Sequence, residues 1–191
     1  MELFFIFVGA ALINNYVLTQ FLGLCPFFGV SKKLSTAVGM GLSVIFVMTI
    51  ASAVTHVIFN KVLVPFGLEY LQTIMFILVI ASVVQFVEVY LKKSFKSLYD
   101  VLGIFLPLIT VNCTIMGVAL INVRDQYNFF YAIINSLGAG SGFLLAIVML
   151  AAVREKYENH PDVPIIFQGF PLSLFSAGLM SIGFMGFQGL I

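Results

Sequence analysis

The chain has 191 residues, of which 61% are hydrophobic and 9% charged, with a formal net charge of +1. Soluble domains carry about 25% charged residues, so one soluble core cannot absorb this much apolar surface. The composition excludes a soluble enzyme domain, offers nothing to nucleic acid, and implies a polytopic membrane protein.

In chain order, the N-terminus opens "MELFFIFVGAALINNY", with Glu2 as its only early charge. A secretory signal would place positive charge before its apolar core, so this stretch is read as an uncleaved first span. Charged or turn-rich breaks at Ser31–Lys33, Asn60–Lys61, Lys92–Lys96, Arg124–Asp125 and Arg154–Pro164 then leave about six spans, near 3–30, 36–59, 69–91, 100–122, 128–153 and 165–190. Each meets the roughly 20 apolar residues that a membrane-crossing helix needs. The chain is expected to be all-α, a single integral membrane domain over 1–191.

Lys and Arg sort sharply among the loops. Loops after odd-numbered spans hold Lys32, Lys33, Lys92, Lys93, Lys96, Arg154 and Lys156; those after even-numbered spans hold Lys61 and Arg124. Basic loops stay cytoplasmic, which predicts a multi-pass protein of the cytoplasmic (inner) membrane with both termini on the outer, periplasmic side.

The sequence also echoes itself. "AVGMGLSVIFVMTIASAV" from Ala37 aligns without a gap on "SLGAGSGFLLAIVMLAAV" from Ser136, with Gly39 and Gly41 matching Gly138 and Gly140. The pattern Cys-x-x-x-Gly-Val occurs at Cys25 and again at Cys113, and these are the only two cysteines. Each half then reads as a cysteine span, a Gly-x-Gly span and a third span, repeat 1 over about 1–97 and repeat 2 over about 98–191. Three is odd, so the halves enter from opposite sides as an inverted-topology repeat. The Gly-rich run 138–142 lies in a span without the Gly-Lys-Ser/Thr of a phosphate loop and reads as a close helix contact. Gly178, Gly183, Gly186 and Gly189 invite the same reading.

Both cysteines sit beside helix breakers: Gly23, Pro26 and Gly29 around Cys25; Pro107, Asn112 and Gly117 around Cys113. Proline removes a backbone donor and clashes one turn back, so spans 1 and 4 are predicted to be broken, with Pro26 freeing backbone amides. Paired interruptions in corresponding places point to a site near the midplane. A lone buried cysteine is usually a small hydrophobe, but two, placed alike in two halves, read as a ligand pair. Soft sulfur suits iron–sulfur clusters, zinc or Cu(I), and a 2Fe–2S cluster normally takes four cysteines. A partner must supply two more, either a homologue of the same fold or a second copy. Asn14 and Asn15 in span 1 read as interhelical hydrogen-bonding residues, and His56 as an interfacial one.

The segments "LINNYVLTQFLGLCPFFGVSKKLSTAVGMGL" and "LGIFLPLITVNCTIMGV" resemble the RnfA/NqrE family of membrane subunits from the Rnf and Nqr ion-translocating electron-transport complexes, on the Rnf side by "CPFFGVSKK" and the "ELFFIF" start. The resemblance covers nearly the whole chain. It implies that two paralogous six-span subunits pair in the membrane, each giving two cysteines, here Cys25 and Cys113, to one intramembrane 2Fe–2S cluster; a mononuclear iron would satisfy the same ligands. It further implies an RnfE-like partner, other subunits that are cytoplasmic iron–sulfur or flavin-bearing proteins, and coupling of ferredoxin and NAD redox chemistry to Na⁺ or H⁺ movement. On this reading the chain is no complete enzyme, and Thr114 is a candidate donor to a cysteine sulfur. The runner-up is a small inverted-repeat secondary transporter with incidental cysteines.

Overall fold

The computed structural model describes residues 2–94, 106–158 and 169–187. The expected boundary between the halves near residue 97, Lys96, the starts of predicted spans 4 and 6, Pro164 and Gly189 lie outside them. Among the described residues the chain is all-helical. Helix α1 (Glu2–Val8) runs on through a π-helical stretch, Gly9–Ile13; after an irregular segment, residues 14–23, α2 spans Leu24–Val30. Helix α3 (Leu34–Ile58) continues through a π turn into α4 (Val64–Phe66), and α5 is Gln72–Ser94. The remaining helices are α6 (Leu106–Thr110), α7 (Cys113–Arg124), α8 (Phe129–Glu158) and α9 (Phe170–Met185).

Among the described residues four stretches are long and apolar enough to cross a membrane: Leu34–Phe66, Glu69–Tyr90, Pro107–Arg124 and Phe129–Tyr157; Leu3–Ile13 and Phe170–Met185 are shorter apolar helices. The charge pattern ends the second span at residue 59, but the helix carries on to Phe66. Lys61 is exposed there, where its long stem lets the ammonium reach the interface, and the helix stops only at Gly67, whose φ of +64° suits glycine. Arg154, which its charge assigns to a loop, is instead inside α8 and only 8% exposed.

The centre of the fold is the crossing of α3 and α8. Val44, Val47, Met48 and Ala51 meet Phe143, Ala146, Ile147, Leu150 and Ala151, all buried. Glycine allows the backbones this close. A Cβ on Gly41 would lie 3.2 Å from the Leu144 Cα, and one on Gly140 would lie 3.1 Å from the Ile45 Cα. Gly140 follows Gly41 by the same 99 positions that separate Leu144 from Ile45. The contact is therefore reciprocal under the internal alignment, as a two-fold axis between the helices requires. Gly138 and Gly142 admit α1 in the same way: a Cβ would lie 2.8 Å from the Phe7 carbonyl oxygen and 2.7 Å from that of Ala11. The C-terminal glycines differ from expectation. Gly178 and Gly183 have no atom within 4 Å of a Cβ position, and Gly186 meets only the carbonyl of Gly183. Among the described residues none of the three makes the close helix contact expected of it.

Candidate metal centre

Spans 1 and 4 are both broken, but not in the same way. In span 1 the backbone leaves the helix after Ile13 and re-enters at Leu24. Asn15, 1% exposed, organises the gap. Its Oδ1 accepts from the amides of Val17 (3.1 Å) and Leu18 (3.4 Å), and its Nδ2 donates to the carbonyls of Gly142 (3.0 Å) and Ala11 (3.3 Å). The Ser181 hydroxyl donates to the Leu18 carbonyl from α9 at 2.5 Å. This is the satisfaction that unwound backbone requires at membrane depth, and it places Asn15 in the interhelical role expected of it. Asn14 instead lines an open cavity of about 320 Å³ with Tyr16, Asp125, Tyr127 and Asn135.

Pro26 does not make the break. It is the third residue of α2, in the first turn, where a missing N–H costs no intrahelical bond. The distortion sits upstream, at Phe21 (φ +56°) and Gly23 (φ +82°). The amide presented to a thiol is accordingly not one freed by Pro26: the Gly23 N–H donates to the Cys113 Sγ at 2.9 Å.

In span 4 the interruption is only Val111 and Asn112 between α6 and α7. Asn112 is the N-cap of α7, its Oδ1 accepting from the Thr114 amide at 3.0 Å, which satisfies one of the orphan donors of the first turn. Cys113 is the first residue of α7, and Cys25 the second of α2. Both are free and exposed on the chain's surface, beside the exposed Phe21 and Val111. The two cysteine motifs thus meet: the donor to the Cys113 sulfur lies two residues before Cys25. Gly117, one turn along α7, packs on Leu22 of the other motif, a Cβ there lying 2.8 Å from Leu22 Cδ1.

Two buried polar atoms next to this junction have no hydrogen-bond partner among the described residues, the Asn112 Nδ2 and the Thr114 Oγ1. A Cβ on Gly23 would strike that hydroxyl. Two thiols at one exposed place, one already receiving a backbone N–H, with a spare hydroxyl and a spare amide alongside, fit half the ligand set of a four-thiolate iron centre. Thiols suit iron–sulfur clusters, zinc or Cu(I), and in an iron–sulfur site N–H and O–H groups beside the sulfurs would tune the potential. Among the described residues no group of three or more His, Cys, Asp or Glu side chains could hold a metal by itself, so two ligands are all this place offers.

A second polar cluster is buried between helices and opens at Asn135 onto the cavity beside Tyr16. Asn122 Nδ2 donates to Ser52 Oγ (2.8 Å) and lies 3.3 Å from Ser136 Oγ, while Asn135 Nδ2 donates to Asn122 Oδ1 (2.7 Å) and Ser136 Oγ to the Ala132 carbonyl (2.7 Å). It ties α3, α7 and α8 together. Residue patterns alone reveal neither this cluster nor Gly23's bond to sulfur. The available signal is the row of small polar residues on otherwise apolar spans. His56 bonds Asn60 at 2.9 Å and its ring lies 5.8 Å from that of Phe129, which ties the α3 end to the α8 start.

A membrane protein that is all-helical among its described residues, with two interrupted helices meeting beside two free cysteines, is the class this geometry defines. The chain belongs to the Rnf-Nqr subunit family of membrane proteins, whose model matches residues 3–191. It is similar to the A subunit of the Na(+)-translocating ferredoxin:NAD(+) oxidoreductase complex of Acetobacterium woodii, at 55% identity over 190 residues, covering 100% of this chain and 98% of that one. It is 52% identical over 190 residues to the A subunit of the ion-translocating oxidoreductase complex of Vibrio atlanticus, with the same coverage. The corresponding Colwellia psychrerythraea protein is 54% identical over 184 residues, covering 96% of this chain and 95% of the relative.

Proposed function

We propose that this chain is the electron-carrying membrane subunit of an ion-translocating ferredoxin:NAD oxidoreductase complex. Cys25 and Cys113 would hold one side of a 2Fe–2S cluster, and a homologous six-helix subunit would supply the other two thiolates. The observation that carries the reading is the Gly23 N–H to Cys113 Sγ bond, which brings both cysteine motifs to one exposed place. The activities for which the relatives are named support the complex; the exposed half-site supports the partner.

When bound, the cluster supplies a one-electron relay within the bilayer. The chain's own residues do the rest. Cys25 and Cys113 anchor it from two helix starts, and the Gly23 amide stabilises negative charge on one sulfur. The buried α3–α8 core excludes water behind the site, so charge there is felt strongly. A relay near the midplane divides a layer of about 30 Å into two shorter transfers. The basic segments agree with cytoplasmic placement of the Ser31–Lys33 turn: Arg154 and Ser31 lie together, and His56 and Phe129 meet at the other end of the same helices.

The test is iron, acid-labile sulfide and the EPR spectrum of the reduced complex for wild type, Cys25→Ser and Cys113→Ser. A signal with matched iron and sulfide, lost in both variants, is the expected result. Iron without sulfide would mean a mononuclear centre, and unchanged metal in both variants would end the reading. The cavity lined by Asn14, Asp125 and Asn135 favours one alternative, a small secondary transporter. That reading alone requires solute flux through the isolated chain in liposomes.

A further inference from the structure

Helix α2 has seven residues. Helices this short are not stable on propensity, because nucleation costs more than so few bonds return. Tertiary contacts must therefore hold it, and its C-terminal carbonyls need partners from outside the helix. Two side chains reach them. Thr36 Oγ1 lies 3.2 Å from the Val30 carbonyl and 2.9 Å from that of Lys33, which compete for its one proton. Arg154, from the far end of α8, donates from Nη1 to the Phe28 carbonyl at 2.9 Å and to Ser31 Oγ at 2.8 Å.

This arginine is 8% exposed and Ser31 is fully buried. Burying a guanidinium costs heavily unless its donors are used, and its placement at a helix C-terminus is the favourable one for a positive charge. The contact joins residues 123 and 126 positions apart, so it is no accident of local chain geometry. The opposite end of α2 carries Cys25, and the Gly23 amide that bonds Cys113 immediately precedes the helix. Seven residues span about 10 Å, so a shift at the C-terminus passes to the sulfurs with little to absorb it. Helix α2 also buries Phe27 and Val30 in the core, but over only seven residues; Cys113 depends less on any one end contact, because its helix has 12 residues and buries Ile115, Val118 and Ala119.

We infer that Arg154 is a positioning residue for the cysteine pair, acting as a latch at the far end of α2 that fixes where Cys25 and the Gly23 amide stand. The inference rests on the proposed role of that pair.

The test uses the purified complex, with hydrogen exchange read over residues 24–30 and the EPR spectrum read after reduction. Arg154→Met removes the charge and the donors. Exchange in α2 is expected to quicken at least about tenfold, the lower bound for losing a charge-assisted hydrogen bond, with shifted g values and midpoint potential. Arg154→Lys keeps a cationic donor and restores both. Ser31→Ala, which leaves the charge in place, moves both in the same direction by less, and it decides the matter if Arg154→Met does not assemble. Wild-type exchange in α2 overturns the latch. Faster exchange with an unchanged spectrum also overturns it, because Arg154 would then hold the helix without setting the site. Absence from the wild type of any EPR signal that Cys25→Ser abolishes is a different failure: it removes the proposed function, while the exchange data still report on the latch.

Discussion

The amide of Gly23 donates to the sulfur of Cys113 at 2.9 Å, across 90 residues of sequence. The bond is made by a residue in the left-handed region, with φ at +82°, and a Cβ there would collide with the Thr114 hydroxyl. Gly23→Ala therefore faces a backbone penalty of about 1–2 kcal/mol in addition to the collision. The expected outcome is a lower unfolding temperature together with loss or distortion of the EPR signal, measured on the same preparation. An alanine variant with wild-type spectrum and stability would show that the turn is not needed.

Thr114 tests the spare hydroxyl. It is fully buried and its Oγ1 has no partner among the described residues. Left unsatisfied, such a group costs about 1–3 kcal/mol, so Thr114→Val should raise stability. If the hydroxyl serves a cluster sulfur, removal withdraws a donor that favours the more negative, reduced state, and the midpoint potential falls by roughly tens of millivolts. We expect the gain in stability in the chain without iron, read by thermal unfolding, and the fall in potential in the iron-loaded complex, where the hydroxyl has a partner, read by redox titration. An unchanged potential would remove Thr114 from the site.

The crossing of α3 and α8 makes a paired prediction. Gly41→Val and Gly140→Val each push a side chain into the facing backbone, at Leu144 and Ile45. Each is expected to cost about 1–3 kcal/mol as overpacking, and by similar amounts because the contacts are reciprocal. Gly178→Ala is the contrast: nothing lies within 4 Å of its Cβ position, and alanine gains about 1 kcal/mol of helix propensity. Detergent unfolding curves of the three variants check this.

Asn15 makes four hydrogen bonds that hold residues 14–18 and α8 together. Asn15→Leu removes them and leaves the Gly142 carbonyl without that donor, so a loss of at least about 2 kcal/mol is expected. Hydrogen exchange should show the opening concentrated in residues 14–24. Uniform destabilisation across all helices would contradict that role.

Much of this is legible from residue spacing. Apolar run lengths locate the long helices, and the Gly-x-Gly echo marks the tightest backbone contacts. Cysteines next to breakers mark the place where the two interrupted helices meet. The departures have physical causes. Proline reads as the breaker in span 1, but at the third position of a helix it is harmless, and the break comes from residues with positive φ that composition does not announce. Charge ends apolar runs, which puts Arg154 in a loop, yet a charge with carbonyl and hydroxyl partners is tolerated inside a helix. The Asn122–Asn135–Ser52–Ser136 cluster joins three helices, and no local pattern encodes which small polar residues will converge. The C-terminal glycines look like Gly140 in sequence, and only packing distinguishes them.

The reciprocal crossing of α3 and α8 also has a consequence for how the protein is made. Its two glycine faces belong to segments 99 positions apart, so α3 leaves the ribosome long before its mate. At about 5–20 residues per second, α3 waits some seconds with its small-residue face turned to lipid or to the insertion machinery. Neither half can mature alone, since each completes the other's interior. The centre of the molecule therefore closes only when α8 arrives, late in synthesis, and completes the seam. Slowed synthesis of the second half should leave the first half open to membrane proteases, even with every residue of the cysteine motif at Cys25 already in place.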